Sequence, residues 1–169
     1  MNSKEWKIIP NYNNYSISTD GDVKSLITGK IMKQHVSTVG YKAIRLTLSS
    51  KNTKLIHTHR LVAITFLGFD ETSSCVVDHI DNNKLNNHIS NLQIVSRRLN
   101  NTKEFTSKSG LPGVYSEPDR VSFRSRIKIN GKYVSLGNYK TPEEAYYKYI
   151  EALKDVDEQA YNYYKNKFN

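Results

Sequence analysis

Two tight-turn dipeptides constrain the fold more than any other feature of the sequence. Asp20-Gly21 and Asn130-Gly131 each separate two short β-prone runs. Such dipeptides favour the two-residue turns of antiparallel hairpins, because both central residues adopt a positive φ in those turns. The flanking runs span residues 15–18, 23–26, 121–129 and 132–136. The chain is therefore expected to contain short strands joined by turns.

The strand and helix patterns along the whole chain predict an α+β fold of three small modules. Residues 1–58 form a small β-rich module, residues 59–105 a compact core, and residues 106–169 a three-stranded sheet with a helix and a helical tail. Further strands are predicted over residues 41–48, 53–57, 75–79, 92–95 and 113–116. Helices are predicted over residues 59–66, over 96–105 and from 141 onward.

Capping residues predict where two helices begin, and alternating apolar residues predict which side chains of the strands face the core. Ser96 is the predicted N-cap of the helix in the second module, with Leu99 facing inward. Thr141-Pro142-Glu143-Glu144 opens the last helix with a capping box and a proline at its first position. The strand residues expected to face the core are Ile44, Leu46, Leu48, Val121, Phe123, Ile127 and Ile129.

Length and composition limit the class of protein. The chain has 169 residues, of which 37% are hydrophobic, and no apolar run approaches the roughly 18–20 residues that span a bilayer. The single cysteine, Cys75, excludes a disulfide framework within the chain and a cysteine-rich zinc ribbon. The N-terminus lacks the apolar core of a signal peptide. These features predict a soluble, cytoplasmic protein that does not bind membranes.

The net charge of +9 is distributed unevenly. The net charge is +7 in residues 1–67, −1 in residues 68–105, +4 in residues 106–154 and −1 from Asp155 onward. Basic regions can attract a polyanion, and a nearly neutral centre with carboxylates can have a different function. A solvated basic surface explains the charge equally well, so the charge alone leaves the choice open.

The centre of the chain holds the residue types that hydrolyse phosphodiesters. Asp78-His79-Ile80-Asp81 is followed by Asn91 and Asn100. Hydrolysis needs a base that activates water and a cation that offsets developing charge. Histidine, with an ordinary pKa of about 6.5, can serve as that base. A hard cation such as Mg²⁺ keeps several waters, so two protein oxygens can suffice.

The predicted strand–loop–strand–helix pattern can assemble these residues. A helix packed across the hairpin can bring Asp78 and Asn100 together, and Asn91 can hold the imidazole through a backbone or side-chain contact. Adjacent residues of a regular strand face opposite ways. The site therefore requires the strand to end or distort at His79, which the following Asn-rich loop permits.

The constellation resembles the HNH nucleases of the ββα-metal class, and most closely the phage and intron-encoded homing endonucleases. The residues that carry the resemblance are His59-Arg60-Leu61-Val62-Ala63, Val77-Asp78-His79-Ile80-Asp81, Asn87 to Leu92, and Asn100. The resemblance implies a site-specific DNA endonuclease in which His79 is the general base and Asn91 the middle Asn. It further implies that Asp78 and Asn100 ligate Mg²⁺ or Mn²⁺. The family often has His at the position of Asn100, whereas the intron-encoded nicking members have Asn there, as this chain does.

Both flanks carry further resemblances. Residues 5–48 resemble the modular segment that precedes HNH cores in nucleases. Residues 110–153 are similar to the plant ethylene-response-factor (Apetala-type) DNA-binding domain, which inserts a three-stranded sheet into the major groove. These resemblances imply double-stranded DNA as the partner, and no small-molecule cofactor. The predicted DNA-binding residues are Arg45, Arg60, Arg97, Arg98, Ser122, Arg124, Arg126, Lys128 and Lys132.

The two predicted DNA-binding arms are unlike each other, so a monomer that nicks one strand is expected. A Tyr-rich face of the helical tail, with Tyr161 and Tyr164, is the feature that would support a dimer instead. Two other functions remain open. One is a DNA-binding regulator with an inactive HNH core, against which the intact catalytic residues argue. The other is a non-homing phage or restriction nuclease with the same chemistry, which only the genomic position of the gene distinguishes from a homing endonuclease.

Other polar residues of the centre have structural interpretations. Asp81 and Asn82 are expected to cap the loop rather than to ligate metal. His59 is expected to pack or form a hydrogen bond beneath the core rather than to ligate metal. His35, His57 and His88 carry no motif and are expected at the surface.

Overall fold

The computed structural model describes residues 4–49, 52–102, 109–116 and 121–167. Together these residues form the predicted α+β fold, with several small sheets and four α-helices. The chain divides into two compact units, Met1–Val95 and Ser96–Asn169. The division into three modules, with boundaries after residues 58 and 105, stays a prediction. None of the described helices is long and apolar enough to cross a membrane.

Two three-stranded sheets open the first unit. Strands β1 (Trp6–Ile9), β2 (Tyr12–Ser18) and β3 (Val23–Ser25) form one, in that order; β4 (His35–Val36), β5 (Lys42–Ser49) and β6 (Asn52–His57) form the other. The hairpin predicted at Asp20-Gly21 is confirmed, because β2 and β3 pair antiparallel around it. The short strands β1 and β4 were not predicted from the sequence.

Both sheets and helix α1 (Thr58–Phe66) share one apolar core, which includes Ile9, Ile17, Val23, Ile44, Leu46, Leu61 and Val62. The expectation that Leu48 faces this core is wrong, since its side chain is 45% exposed. The register of β5 against β6 shifts between Thr47 and Ser49. Such an irregularity interrupts the alternation of faces, so the pattern of Ile44 and Leu46 does not extend to the next position.

The predicted centre follows in the same unit. Strand β7 (Cys75–His79) and strand β8 (Leu92–Ser96) form a two-stranded sheet, as predicted. The loop between them ends in a 3₁₀ turn, Ile89–Asn91. Helix α1 ends before Gly68, whose φ of 68° is the left-handed conformation common after helices.

The described residues of the second unit form a three-stranded antiparallel sheet and three helices. The sheet has the order β11 (Lys132–Tyr139), β10 (Phe123–Ile129), β9 (Val114–Ser116), and the helices are α2 (Arg97–Thr102), α3 (Pro142–Val156) and α4 (Glu158–Lys167). The Asn130-Gly131 hairpin is confirmed, because both residues have a positive φ between β10 and β11.

Both predicted helix caps are present in the second unit. Ser96 Oγ accepts from the Leu99 backbone N–H at 3.0 Å, and Thr141 Oγ1 accepts from the Glu144 N–H at 3.2 Å. The predicted extension of the first of these helices to Phe105 lies outside the described residues, as does the predicted turn at residues 117–119. The caps confirm where both helices begin.

Helix α3 covers one face of the sheet, and α4 packs against α3; buried residues of both helices form the core of the second unit with Val114 and Ile127. The expectation that Val121 faces this core is wrong: Val121 is 97% exposed because β10 begins only at Phe123. Tyr164 is 1% exposed, and its hydroxyl donates to Thr102 Oγ1. Tyr164 is therefore a core residue of its own unit and does not offer the surface predicted for dimerisation.

Gly113 provides a stability test of this core. A Cβ at Gly113 would lie 2.2 Å from Cδ2 of the buried Tyr149 ring, and the φ of Gly113 is +76°. We expect Gly113→Ala to lower the free energy of unfolding by about 2–4 kcal/mol, because overpacking adds to backbone strain. Urea unfolding monitored by circular dichroism measures the effect.

The matched control is Gly110→Ala. Gly110 has a similar φ of +72°, but no atom of the described residues lies within 4 Å of the added Cβ. It should cost only about 1 kcal/mol of backbone strain. Equal losses in the two variants would show that the contact with Tyr149 does not matter.

Candidate active site

Asp78 and His79 stand at the end of β7, and both are buried, at 7% and 4% exposure. The chain leaves the strand immediately after them. The Ile80 N–H donates to the Asn91 carbonyl at 2.9 Å, and the Asn82 N–H donates to the His79 carbonyl at 3.1 Å. The strand therefore ends at His79, as the predicted site requires.

A glutamine from the neighbouring strand holds the Asp78 carboxylate. Gln93 Nε2 donates to Asp78 Oδ2 at 2.8 Å. This role of Gln93 was not predicted from the sequence. Its position in the second predicted strand, beside the strand of Asp78, was the available signal. A hydrogen bond of this kind orients a carboxylate that ligates a metal ion.

Asn87 contacts the imidazole of His79. Nε2 of His79 lies 3.0 Å from Oδ1 of Asn87, and Asn87 is 3% exposed. Because an amide oxygen only accepts hydrogen bonds, the ring N–H donates to it. A hydrogen bond to one ring nitrogen sets the tautomer and orientation of a histidine. This role of Asn87 was not predicted from the sequence.

Asn91, the residue predicted to hold the imidazole, has its side chain bonded to the loop. Its Oδ1 accepts from the Asp81 N–H at 3.0 Å, and its Nδ2 donates to Asp81 Oδ1 and to the Asn86 carbonyl, both at 2.8 Å. With the bond from Ile80 to its carbonyl, Asn91 ties together the start and the end of the loop. A catalytic role for Asn91 stays a prediction.

Asp81 caps the loop, as expected. Its carboxylate accepts from the Asn86 side chain, the Asn83 N–H and the Asn91 side chain, at 2.7–2.8 Å. These bonds, led by that of the Asn86 amide, lower the pKa of Asp81. Asn82 adopts a φ of 61°, a conformation that Asn tolerates in turns.

A cluster of aromatic rings surrounds His79. The ring centroids of Tyr41 and His59 lie 5.8 and 5.2 Å from that of His79, and the His57 ring stacks on His59 at 5.6 Å. The expectation that His57 lies at the surface is wrong. His57 is half-buried because it pairs with Ala43 across the sheet, next to Tyr41. His35 is exposed, as expected.

His59 packs beneath the site, as expected, and is 6% exposed. Burial, followed by the nearby His79, His57 and Arg60, lowers the pKa of His59 to about 3. In the unfolded chain the same group titrates near its ordinary pKa of about 6.5. Between these values the unfolded state binds a proton that the folded state does not. The contribution of His59 to the free energy of unfolding is therefore fully present above about pH 6.5 and is lost as the pH drops towards 3.

We expect the wild-type protein to lose up to about 2 kcal/mol more stability than His59→Gln between about pH 7 and pH 5. Glutamine keeps a polar side chain but does not titrate there. Urea unfolding of both proteins at the two pH values measures the difference in slope, independently of any constant effect of the substitution. Parallel pH dependences would mean that His59 is protonated in the folded state.

The predicted DNA-binding residues of the first unit differ in their surroundings. Arg45 is exposed on β5, with the Thr53 hydroxyl 3.5 Å away. Arg60 pairs with Glu71 at 3.0 Å, and its guanidinium lies over the Phe69 ring. The pairing neutralises part of the charge that Arg60 would offer to a phosphate.

Four predicted residues of the second unit, Arg97, Arg98, Arg126 and Lys128, line one cavity of about 520 Å³. Arg98 contacts the Lys128 carbonyl and the Asp157 carboxylate, so it supports the fold. The Arg126 guanidinium lies between the Tyr115 and Tyr133 rings, 3.9 and 4.4 Å from their centroids. Of the remaining predicted residues, Lys132 is exposed, whereas Ser122 and Arg124 are half-buried.

The Asp78 side chain suits a divalent metal ion by its chemistry, since it is a buried carboxylate oriented by an amide. Asn100 belongs to α2 in the second unit, and its role as the other ligand stays a prediction. Among the described residues, no group of three or more His, Cys, Asp and Glu side chains is placed to hold a metal ion.

The sequence is similar to known families and proteins over this region. Residues 57–102 match the HNH endonuclease family, and residues 5–47 match the NUMOD4 motif. The DNA endonuclease I-HmuI of Bacillus phage SP01 is 42% identical over 98 residues, which cover 57% of this chain and 55% of that protein. The H-N-H endonuclease F-TflII of Escherichia phage T5 is 33% identical over 99 residues, which cover 58% and 51%.

The structure also resembles a solved structure of the HNH homing endonuclease I-HmuI, which is described as showing DNA binding and cleavage by that enzyme. The TM-score is 0.54 and the identity 38%, over 63% of this chain and 60% of that chain. The matched region of this chain spans about half the length of each of these two phage relatives.

Proposed function

Since the chain contains an HNH endonuclease domain preceded by a NUMOD4 motif, we propose that it is a site-specific, divalent-metal-dependent DNA endonuclease of the homing type. The observation that carries the proposal is the pair Asp78 and His79 at the end of β7. Both side chains are buried within the matched region, and each is held by an amide, from Gln93 and Asn87 respectively. Buried polar side chains held in this way are typical of a preorganised site.

In the proposed reaction, the His79 imidazole accepts a proton from a water molecule, which attacks the scissile phosphorus in line. The bond from phosphorus to the 3′ oxygen then breaks. Asn87 keeps the ring in place during the transfer, and Asn91 keeps the loop closed. Mg²⁺ or Mn²⁺, held by oxygens of Asp78 and Asn100, would stabilise the charge on the phosphate and on the leaving oxygen.

Double-stranded DNA is the proposed partner. I-HmuI, which the chain resembles, is named for binding and cleaving DNA, and residues 1–67 and 106–154 of this chain are basic. In the second unit, the proposed DNA surface is the sheet face with Arg124, Arg126 and Lys128. Successive side chains on one face of a strand are about 6.6–6.8 Å apart and can reach neighbouring phosphates or bases. The Apetala-type assignment of residues 110–153 remains part of this proposal.

Cleavage of plasmid DNA tests the function. The purified chain would be incubated with a library of supercoiled plasmids carrying genomic segments from its source, with Mg²⁺ or with EDTA. Cleaved plasmids would be recovered, and their breaks mapped by sequencing. Breaks at one site with Mg²⁺ and none with EDTA are expected. Specific binding without cleavage in Mg²⁺ or Mn²⁺ would favour a DNA-binding regulator. A recovered site far from the position of the gene would favour a non-homing nuclease.

The proposed monomer predicts the first product. A monomer has a single active site, formed around Asp78 and His79. Bound to DNA in one register, that site reaches one scissile phosphate. We expect supercoiled plasmid to become open circle before any linear form appears, as agarose gels over a time course would show. The initial rate should rise linearly with protein concentration. Direct conversion to linear DNA with a second-order dependence on protein would show a dimer instead.

A further inference from the structure

The turn between β2 and β3 packs against the loop that precedes the 3₁₀ turn. The Ile89 N–H donates to the Thr19 carbonyl at 2.8 Å. Next to this bond, a Cβ added to Gly21 would lie 2.9 Å from the Cβ of Asn87. His88 Nε2 lies 3.6 Å from an Asp20 carboxylate oxygen. Residues 19–21, which we call the β2–β3 turn, thus contact residues 87–89.

The β2–β3 turn is itself held firmly at Gly21. The Gly21 N–H donates to the Ser18 carbonyl at 2.9 Å, and the Gly21 carbonyl accepts from Gln34 Nε2 at 2.7 Å. Gln34 in turn accepts from the hydroxyl of Thr58, which is fully buried. The φ of Gly21 is +84°, a conformation that only glycine adopts readily. The turn therefore presents a fixed surface to Asn87.

Asn87 connects this surface to the proposed base. Its side chain is buried against Gly21 on one side, and its Oδ1 lies 3.0 Å from Nε2 of His79. A shift of the Asn87 backbone moves the acceptor of this hydrogen bond. Displacements of about 1 Å in a catalytic constellation can lower a rate by about 10²-fold.

We propose that the β2–β3 turn of the NUMOD4 segment positions His79 for the cleavage step, through Asn87. The inference rests on the proposed endonuclease function and adds a task to the N-terminal segment. The segment supplies part of the geometry of the site that the HNH domain carries. Asn87 is a positioning residue here, because it acts through His79.

Gly21→Ala tests the proposal. The added Cβ would lie 2.9 Å from Asn87 Cβ and 3.2 Å from Thr58 Cγ2, so the loop must move. We expect kcat for nicking the plasmid recovered in the cleavage experiment to fall about tenfold or more, while KM stays within about twofold. Rates would be expressed per folded molecule, from urea unfolding curves of each variant.

The matched control is Gly29→Ala. Gly29 lies in the same segment with a φ of +70°, but no atom of the described residues lies within 4 Å of the added Cβ. This variant carries the backbone strain without the contact, and its kcat should stay within about twofold of wild type. An equal loss of kcat in both variants would overturn the proposal. So would a raised KM with unchanged kcat in Gly21→Ala.

Asn87 variants test the second step without altering the turn. Asn87→Ala removes the acceptor and should lower kcat as Gly21→Ala does. Asn87→Asp keeps an acceptor oxygen, and the Asn87 Nδ2 that it loses has no hydrogen-bond partner among the described atoms. This variant should therefore recover much of the lost kcat. Equal losses in the two Asn87 variants would contradict a role through the acceptor oxygen.

The double variant shows whether the two residues act together. If the turn acts through Asn87, Gly21→Ala should have little further effect on kcat in the Asn87→Ala background. Full additivity would show separate effects and overturn the proposed connection. If the wild-type chain cleaves DNA and Gly21→Ala has the same kcat as Gly29→Ala, this inference is wrong but the proposed function stands. A wild-type chain that cleaves no DNA removes the proposed function as well.

Discussion

His79→Ala should lower the rate of DNA cleavage by about 10²–10⁴-fold, the usual contribution of a general base. His79 is the buried histidine at the end of β7 whose ring is held by Asn87, so no water molecule that replaces it would be oriented in the same way. The affinity for the plasmid site should change little, because the imidazole acts on the water and adds few contacts to DNA. Single-turnover nicking and gel-shift binding measure the two quantities separately.

His35→Ala is the matched control for this substitution. His35 belongs to the short strand β4 and is exposed. The control should cleave at nearly the wild-type rate. A His79→Ala protein that cleaved as fast as this control would show that another group is the base. A parallel loss of binding and cleavage would point instead to a misfolded loop, which the unfolding curve of the variant would reveal.

Asp78→Asn should also abolish cleavage, through loss of the metal ion. The substitution keeps the shape of the side chain and removes its charge, so the oxygen attracts a divalent cation much less strongly. Loss of a residue that merely supports a metal ligand costs about 10–100-fold in affinity. We therefore expect at least about 100-fold weaker binding of Mn²⁺, measured by isothermal titration calorimetry, beside the loss of nicking.

Asp155→Asn removes the same charge from an exposed position on α3 and serves as the control. It should bind Mn²⁺ and nick DNA as the wild type does. High Mn²⁺ concentrations should restore part of the cleavage by Asp78→Asn, because the defect lies in metal affinity. Wild-type Mn²⁺ affinity in Asp78→Asn would remove Asp78 from the ligand set.

The local elements of the site were predictable because neighbouring residues determine them. The end of β7 at His79 follows from the Asn-rich loop after it, and Asp81 caps that loop through bonds to residues two and five positions ahead. The hairpin at Asn130-Gly131 follows from the positive φ that both residues accept. In each case the hydrogen bonds join groups that are close in sequence.

The two wrong face assignments lie where a strand departs from regularity. Alternation places Leu48 inside, but the shifted register after Thr47 turns it outward. Val121 continues the apolar pattern of β10, yet the strand begins two residues later and leaves it exposed. The period of a pattern does not reveal where pairing with the next strand starts or slips.

The hairpins and the helix caps can be predicted from the sequence, because they depend on short-range backbone preferences. Which of several asparagines reaches His79 depends on the tertiary structure. Asn87 does so because its backbone is held against Gly21, a residue 66 positions earlier in the chain. The packing of the first unit around one apolar core brings Asn87 and Gly21 together. Local preferences contain no information about it, since the contacts that hold the turn against the loop join segments that are distant in sequence.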